Sequence, residues 1–153
     1  MESVKLSEII SKYWDDMGWK TLSKEWAIKL TILIKDSMTR LTDYIDQSKP
    51  FFLLHTIKKE GQDFLEKNDG KISLKLILNY LIEQNTAKID KEKAKEIINE
   101  ISKMHNVKKG ILMKSLRVAL FGSLNGPDLI QSWVLFSENK SDISRIERCL
   151  KLT

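Results

Sequence analysis

Breakers of regular structure are scarce in this chain: 153 residues contain six glycines and two prolines. So few breakers leave long uninterrupted intervals, and these favour extended helices over short elements joined by many tight turns. Apolar residues recur at three- and four-residue spacing almost everywhere. Leu6, Ile9, Ile10, Tyr13 and Trp14 share one side of a helix that Gly18 should stop. Trp26, Leu30 and Leu33 repeat at i, i+4 and i+7 between Leu22 and Lys35. Ile28, Ile32 and Ile34 fall on other sides, so this helix should be enclosed on most faces. A third helix is expected from Ser37 to about Ser48, ending before Pro50, which biases Lys49 away from helical backbone.

After the short apolar run Phe51–Leu54, the polar break Lys58-Lys59-Glu60-Gly61 marks a subdomain boundary, dividing 1–57 from 58–153. A short helix from Gln62 to Lys67 should end at the turn Asn68-Asp69-Gly70. Ser73 is then the expected N-cap of a helix carrying Leu74, Ile77, Leu78 and Leu81 inward. Asp90 caps the next, with a narrow stripe of Ala94, Ile97, Ile98, Ile101 and Met104. Helices over Gly110–Phe121 and Pro127–Ser137 follow, Pro127 being placed at a first helical position where its missing N–H costs nothing. Ser141 or Asp142 caps a last helix that turns Ile143, Ile146 and Leu150 inward. With no alternating strand pattern and no repeat, the expectation is an all-α fold of two packed helical subdomains and seven or more helices.

The composition excludes several classes. It is 42% hydrophobic and 31% charged, that of a packed chain rather than a disordered tail. One cysteine, Cys149, gives no disulfide framework, and His55 and His105 beside it are too few for a structural zinc site. No run approaches the ~18 apolar residues of a membrane span, and the first residues are too acidic and amphipathic for a signal peptide. A soluble, cytoplasmic protein is expected.

The formal charge is +5, and its distribution is more informative than its sum. Residues 102–126 contain no Asp or Glu but hold Lys103, Lys108, Lys109, Lys114 and Arg117. On a helix starting at Gly110, positions 110, 114, 117 and 121 share a face. Lys114 and Arg117 are then grouped beside Phe121, while Leu112, Leu116 and Ala119 turn toward the core. A cationic face with an aromatic and a glycine suits nucleic acid, although such a face is also found merely solvated. Duplex DNA is disfavoured: 118–139 has no Lys or Arg, and the second helix of the pair is filled by Leu129, Ile130, Trp133, Val134 and Phe136.

At these residues the chain resembles a known family. Asn106-Val107-Lys108-Lys109-Gly110, followed by Leu116-Arg117-Val118-Ala119-Leu120-Phe121-Gly122 and by Pro127-Asp128-Leu129, is similar to the C-terminal anticodon-binding region of bacterial-type glutamyl-tRNA synthetases. Trp26–Leu33 and Leu41–Ser48 resemble the preceding helical subdomain of those enzymes. The resemblance implies a class I synthetase whose ATP- and magnesium-dependent chemistry lies in a nucleotide-binding domain. That domain's His-rich and Lys-Ser-Lys motifs have no counterpart here, so these residues by themselves should need no cofactor and aminoacylate nothing. A truncated product or a separate reading frame is expected.

The resemblance also implies roles. The arginine matching Arg117 reaches the anticodon, and the loop matching Gly126, Pro127 and Leu129 shapes the pocket for the first two anticodon bases. Lys108, Lys109 and Lys114 would contact the tRNA backbone. Members restricted to the glutamate tRNA carry an arginine that checks the third base from the side of residues 1–57. Its position aligns with Lys35, or less well with Ser37, leaving acceptance of the glutamine tRNA open. Ser115 stands where many members have proline, and Asn125 where histidine is common. Other candidates have structural readings: His105 as a helix-end residue, His55 as partly buried, Cys149 without a nearby base, and Trp14, Trp19, Trp26 and Trp133 as core. The competing functional class is a helical protein-interaction module that binds no tRNA.

Overall fold

A computed structural model describes residues 2–35, 40–84 and 89–153; Ser37 and the expected start of the third helix lie outside them. All regular structure among the described residues is helical, in two compact units, Met1–Leu54 and His55–Thr153. No helix among them is long and apolar enough to cross a membrane.

The first unit holds α1 (Ser3–Asp16), α2 (Lys24–Lys35) and α3 (Leu41–Phe52), each in contact with the other two. Gly18, at φ 77, lies just beyond the end of α1 as its sequence position requires. Trp14 is fully buried and its indole N–H donates to Ser48 Oγ at 2.8 Å. Phe52 lies between three tryptophans, with ring centroids 5.1, 5.3 and 5.4 Å from Trp14, Trp19 and Trp26. This cluster corrects the expected end of α3. Pro50 lies inside the helix, which continues through Phe52. Burying Phe51 and docking Phe52 on the tryptophans outweigh one missing backbone hydrogen bond and the constraint on Lys49. The expected enclosure of α2 is partial, because Ile32 is half exposed.

The second unit contains α4 (Lys59–Lys67), α5 (Gly70–Glu83), α6 (Lys91–His105), α7 (Lys109–Phe121), α8 (Leu129–Glu138) and α9 (Ser141–Leu152). Helix α7 touches all five others. Small residues permit this. A Cβ on Gly61 of α4 would lie 2.9 Å from Val118, and one on Gly70 would lie 2.6 Å from Leu65 and 3.2 Å from Ser115 Oγ. Ser115, fully buried, satisfies its hydroxyl on the Ile111 carbonyl at 2.7 Å.

Several expected boundaries move. Lys59-Glu60-Gly61 begins α4 rather than forming a break, and α5 starts at Gly70 after Asp69 in the left-handed region. Ser73 is therefore not a cap; it is buried within α5 and donates to the Asp69 carbonyl. Asp90 does cap α6, accepting from the Lys93 N–H at 2.7 Å. Met104 has left the apolar stripe and is 71% exposed. Helix α9 is preceded by Lys140 in the left-handed region, not capped by a Ser141 or Asp142 side chain. Asp142 is instead buried and accepts from the Trp133 indole N–H at 3.0 Å, tying α9 to α8.

Gly122 ends α7 at φ 70, and a Cβ there would collide with the His55 ring and the Thr56 carbonyl oxygen. Its own carbonyl accepts from the Lys58 N–H at 2.8 Å. Gly122→Ala is expected to cost about 2 kcal/mol or more through the combined strain and collision; a thermal melt superimposable on the parent's would contradict the packing. Burial raises the Asp142 pKa above the ordinary carboxylate value, against the opposing hydrogen bonds from Trp133 and backbone N–H groups. The folded chain thus holds this proton more tightly than the unfolded chain. The group's contribution to stability is greatest below the ordinary carboxylate pKa and is lost as pH rises through the raised one. Asp142→Asn, which cannot ionise, should gain stability relative to the parent as pH rises through that window, as read by melts at several pH values. A difference constant with pH would count against the shift.

Candidate nucleic-acid interface

The turn between α6 and α7 is short because Asn106 adopts the left-handed conformation and Ser102 closes on Val107. The Ser102 hydroxyl donates to the Val107 carbonyl at 2.6 Å, and the Val107 N–H returns to the Ser102 carbonyl at 3.2 Å. Lys103 and His105 in the last turn of α6 are brought near Lys108 and Lys109 at the start of α7, all four exposed. Cations at the end of α6 complement its dipole. Those at the start of α7 do the opposite. That helix has no acidic residue in its first turn and no side-chain cap, so two lysines stand at a partially positive helix end. The arrangement costs stability unless an anion arrives, and it concentrates positive potential at the backbone N–H groups. Next along the helix, Gly110 is open, with nothing within 4 Å of a Cβ built on it. Lys114 is exposed, its Nζ 5.9 Å from the Phe64 ring centroid.

At the other end of α7 the chain turns through Gly122 and Asn125, whose N–H donates to Ser123 Oγ, and reaches Gly126 and Pro127. Arg117 is half-buried and its Nη1 donates to the Pro127 carbonyl at 2.7 Å. A Cβ on Gly126 would lie 3.2 Å from that nitrogen and 3.1 Å from the Phe121 ring. Among the described residues no carboxylate lies within ion-pair distance of Arg117. Partial burial lowers its pKa and the carboxylate of Asp128 pulls it back up, so the guanidinium stays cationic at neutral pH. One of its N–H groups is committed to holding the side chain; the rest remain available to a ligand.

The corner differs from the sequence expectation in three respects. Pro127 is not the first helical residue: Asp128 is the N-cap of α8 and accepts from the Gln131 N–H at 2.9 Å. The signal was present in Asp128-Leu129-Ile130-Gln131, an acidic cap residue with Gln three positions on. That carboxylate occupies the helix start, so α8 does not offer an open anion site there. Phe121 is not beside Arg117 as an exposed platform; it is 8% exposed and meets Phe136 edge-on at 5.6 Å. Leu129 is 3% exposed, so it backs the corner from the core instead of lining an open pocket.

Gly126 and Pro127 therefore meet Arg117 at one corner, and Lys108, Lys109 and Lys114 lie exposed along the same helix. Lys35 belongs to the first unit, where it ends α2, half-buried, with its Nζ 3.5 Å from Ser3 Oγ. Trp14, Trp26 and Trp133 are core residues and Trp19 is 7% exposed. The Cys149 thiol is buried and its pKa is pushed up to about 11, chiefly by desolvation, so it is a poor nucleophile.

A helix edge carrying Lys108, Lys109 and Lys114, with no acidic residue in its first turn, thus leads to a guanidinium held by a backbone carbonyl at the Gly126–Pro127 corner. A family model described as an anticodon binding domain matches residues 5–150, and the chain belongs to that family. It is 83% identical over 151 residues to a glutamate–tRNA ligase of Prochlorococcus marinus strain MIT 9312, covering 99% of this chain and 32% of the relative. A glutamate–tRNA ligase of strain NATL2A is 45% identical over 150 residues, 98% of this chain and 32% of the relative. The chain thus spans about a third of the length of the curated relatives it matches. The crystal structure of a glutamate tRNA ligase from Elizabethkingia meningosepticum superposes with a TM-score of 0.86 at 20% identity, over 99% of this chain and 29% of that one. The same helical fold recurs in a glutamate–tRNA synthetase from Elizabethkingia anophelis, with a TM-score of 0.83 at 21% identity.

Gly126→Ala should press on both the guanidinium and the Phe121 ring, at a cost of about 1 kcal/mol. The Arg117 side-chain NMR signals are expected to move; signals unchanged from the parent would show that the corner has room to spare.

Proposed function

We propose that this chain is the anticodon-binding domain of a glutamate–tRNA ligase and grips the anticodon loop of the glutamate tRNA. The observation that carries the reading is Arg117: it is anchored by a backbone carbonyl rather than neutralised by a carboxylate, so it keeps both its charge and unused donors. Unstacked loop bases present their edges, and a planar guanidinium can sort them by paired hydrogen bonds. Gly126 leaves space beside it, Pro127 fixes it, and Leu129, buried, supports the loop from the core side. Lys108, Lys109 and Lys114 neutralise phosphates along the exposed edge of α7. Lys35, on the other unit, meets the third anticodon base. A lysine there keeps a charge without the planar fork of arginine, a less selective contact.

Binding of the glutamate tRNA and of transcripts with single anticodon changes, measured by gel shift over a range of salt, tests the reading. Affinity should fall with a log–log slope of roughly −0.7 per phosphate neutralised. Arg117→Ala should erase about 1–3 kcal/mol of discrimination at one anticodon position. Lys109→Ala should instead weaken all transcripts alike and lower the salt slope. Equal loss of cognate and altered transcripts in Arg117→Ala would refute the role given to that residue. A chain that retains no tRNA at ~0.15 M salt, where the screening length is about 8 Å, would refute the proposal as a whole.

A further inference from the structure

The corner that presents Arg117 is braced from behind by α9. Arg145 is 5% exposed, and its Nη1 donates to the Leu120 carbonyl at 2.7 Å. Leu120 lies in the last turn of α7, where main-chain acceptors lack intrahelical donors. The guanidinium carbon of Arg145 lies 4.4 Å from the Phe136 ring centroid. Phe136 in turn meets Phe121 at 5.6 Å with an interplanar angle of 69°. The Phe121 ring is the wall against which Gly126 is seated, beside Arg117 Nη1. A continuous line of contacts therefore runs from α9 to the guanidinium at the corner. The bond from Trp133 to Asp142 pins α9 to α8, so one helix holds both sides of the loop.

Stability is a weak reason for a cation in this place. Its burial, together with Arg148, lowers the pKa to about 10, a desolvation cost that an uncharged side chain would not carry. A flat, stacked group with a directed hydrogen bond does provide orientation. We propose that Arg145 is a positioning residue for base selection: by fixing the last turn of α7 and the Phe136–Phe121 pair, it holds Arg117 in one orientation toward an anticodon base. The inference rests on the anticodon reading of Arg117, and its test separates the two.

The variants are Arg145→Met, Arg145→Lys, Arg117→Ala and the double variant Arg145→Met with Arg117→Ala, made in the full 153-residue chain. Affinities for the glutamate tRNA and for a transcript altered at one anticodon base give a discrimination ratio. Arg145→Met should lower that ratio about tenfold, the scale of one lost charge-assisted contact, when measured at a temperature where the variant is folded. Arg145→Lys, which keeps the charge but not the plane, should recover only part of it. In the Arg117→Ala background Arg145→Met should change the ratio no further, because the two act in series.

Losses that add in full, or an unchanged ratio in a folded Arg145→Met chain, would overturn the brace. Should Arg145→Met not fold, the ratio in Arg145→Lys decides in the same way. A second readout needs no RNA: the Gly122 amide, bonded to the Val118 carbonyl at 2.7 Å, should exchange with solvent about tenfold faster in either Arg145 variant. Exchange unchanged from the parent would also overturn it. If the parent chain itself shows no anticodon preference, the reading of Arg117 fails and the Gly122 exchange alone judges the brace.

Discussion

Enclosure of α7 by five neighbouring helices is the constraint on which the rest of the second unit depends. Leu112, Ser115, Leu116, Val118, Ala119, Leu120 and Phe121 are all buried, which leaves a narrow strip of that helix facing water. The approach is close because Gly61 and Gly70 have no side chains to keep α4 and α5 away. Once the buried faces are satisfied, the rotation of α7 about its axis is settled. Lys114 must then point outward, and Arg117 must lie along the seam toward the loop that leads to α8. The packing of apolar side chains thus sets the direction of the charged ones.

Two electrostatic choices follow from that geometry. The cations at the start of α7 sit at the wrong end of a helix dipole, and the first turn of that helix holds no acidic residue. At the other end, the acid closest in sequence to the corner, Asp128, is occupied with the Gln131 N–H. Arg117 is held by a neutral acceptor instead. A carboxylate in that place would bind the guanidinium more firmly and also cancel it. The guanidinium therefore keeps its charge while one of its N–H groups holds the side chain in place.

The helical character of the chain, the Asp90 cap, the stop at Gly18 and the span of α7 were legible in the sequence, because each depends on neighbours within one or two turns. The failures share a cause. Pro50 is helical because Phe52 finds three tryptophans that are distant in sequence. Ser73 is buried because α5 begins a turn earlier, at Gly70, where the chain fits against Leu65 and Ser115. Phe121 shares a helical face with Arg117, yet it turns inward because Phe136 from α8 meets it there. Asp128 was readable as a cap from its spacing to Gln131. Arg145 was not readable, since nothing local distinguishes a buried arginine from an exposed one on a polar helix.

Sequence alone determined an all-helical chain with one stretch free of acidic residues and an ordered pattern of Lys, Gly, Arg and Pro along it. These are properties of spacing and charge, and they survive any arrangement of the helices. Tertiary structure alone decided that Arg117 rests on the Pro127 carbonyl, that Phe121 lines the core instead of the surface, and that α9 supports the corner through Arg145. Each of those outcomes depends on which distant group fills the space beside a side chain. Burial and hydrogen-bond pairing are settled by contacts that the linear order of residues does not specify.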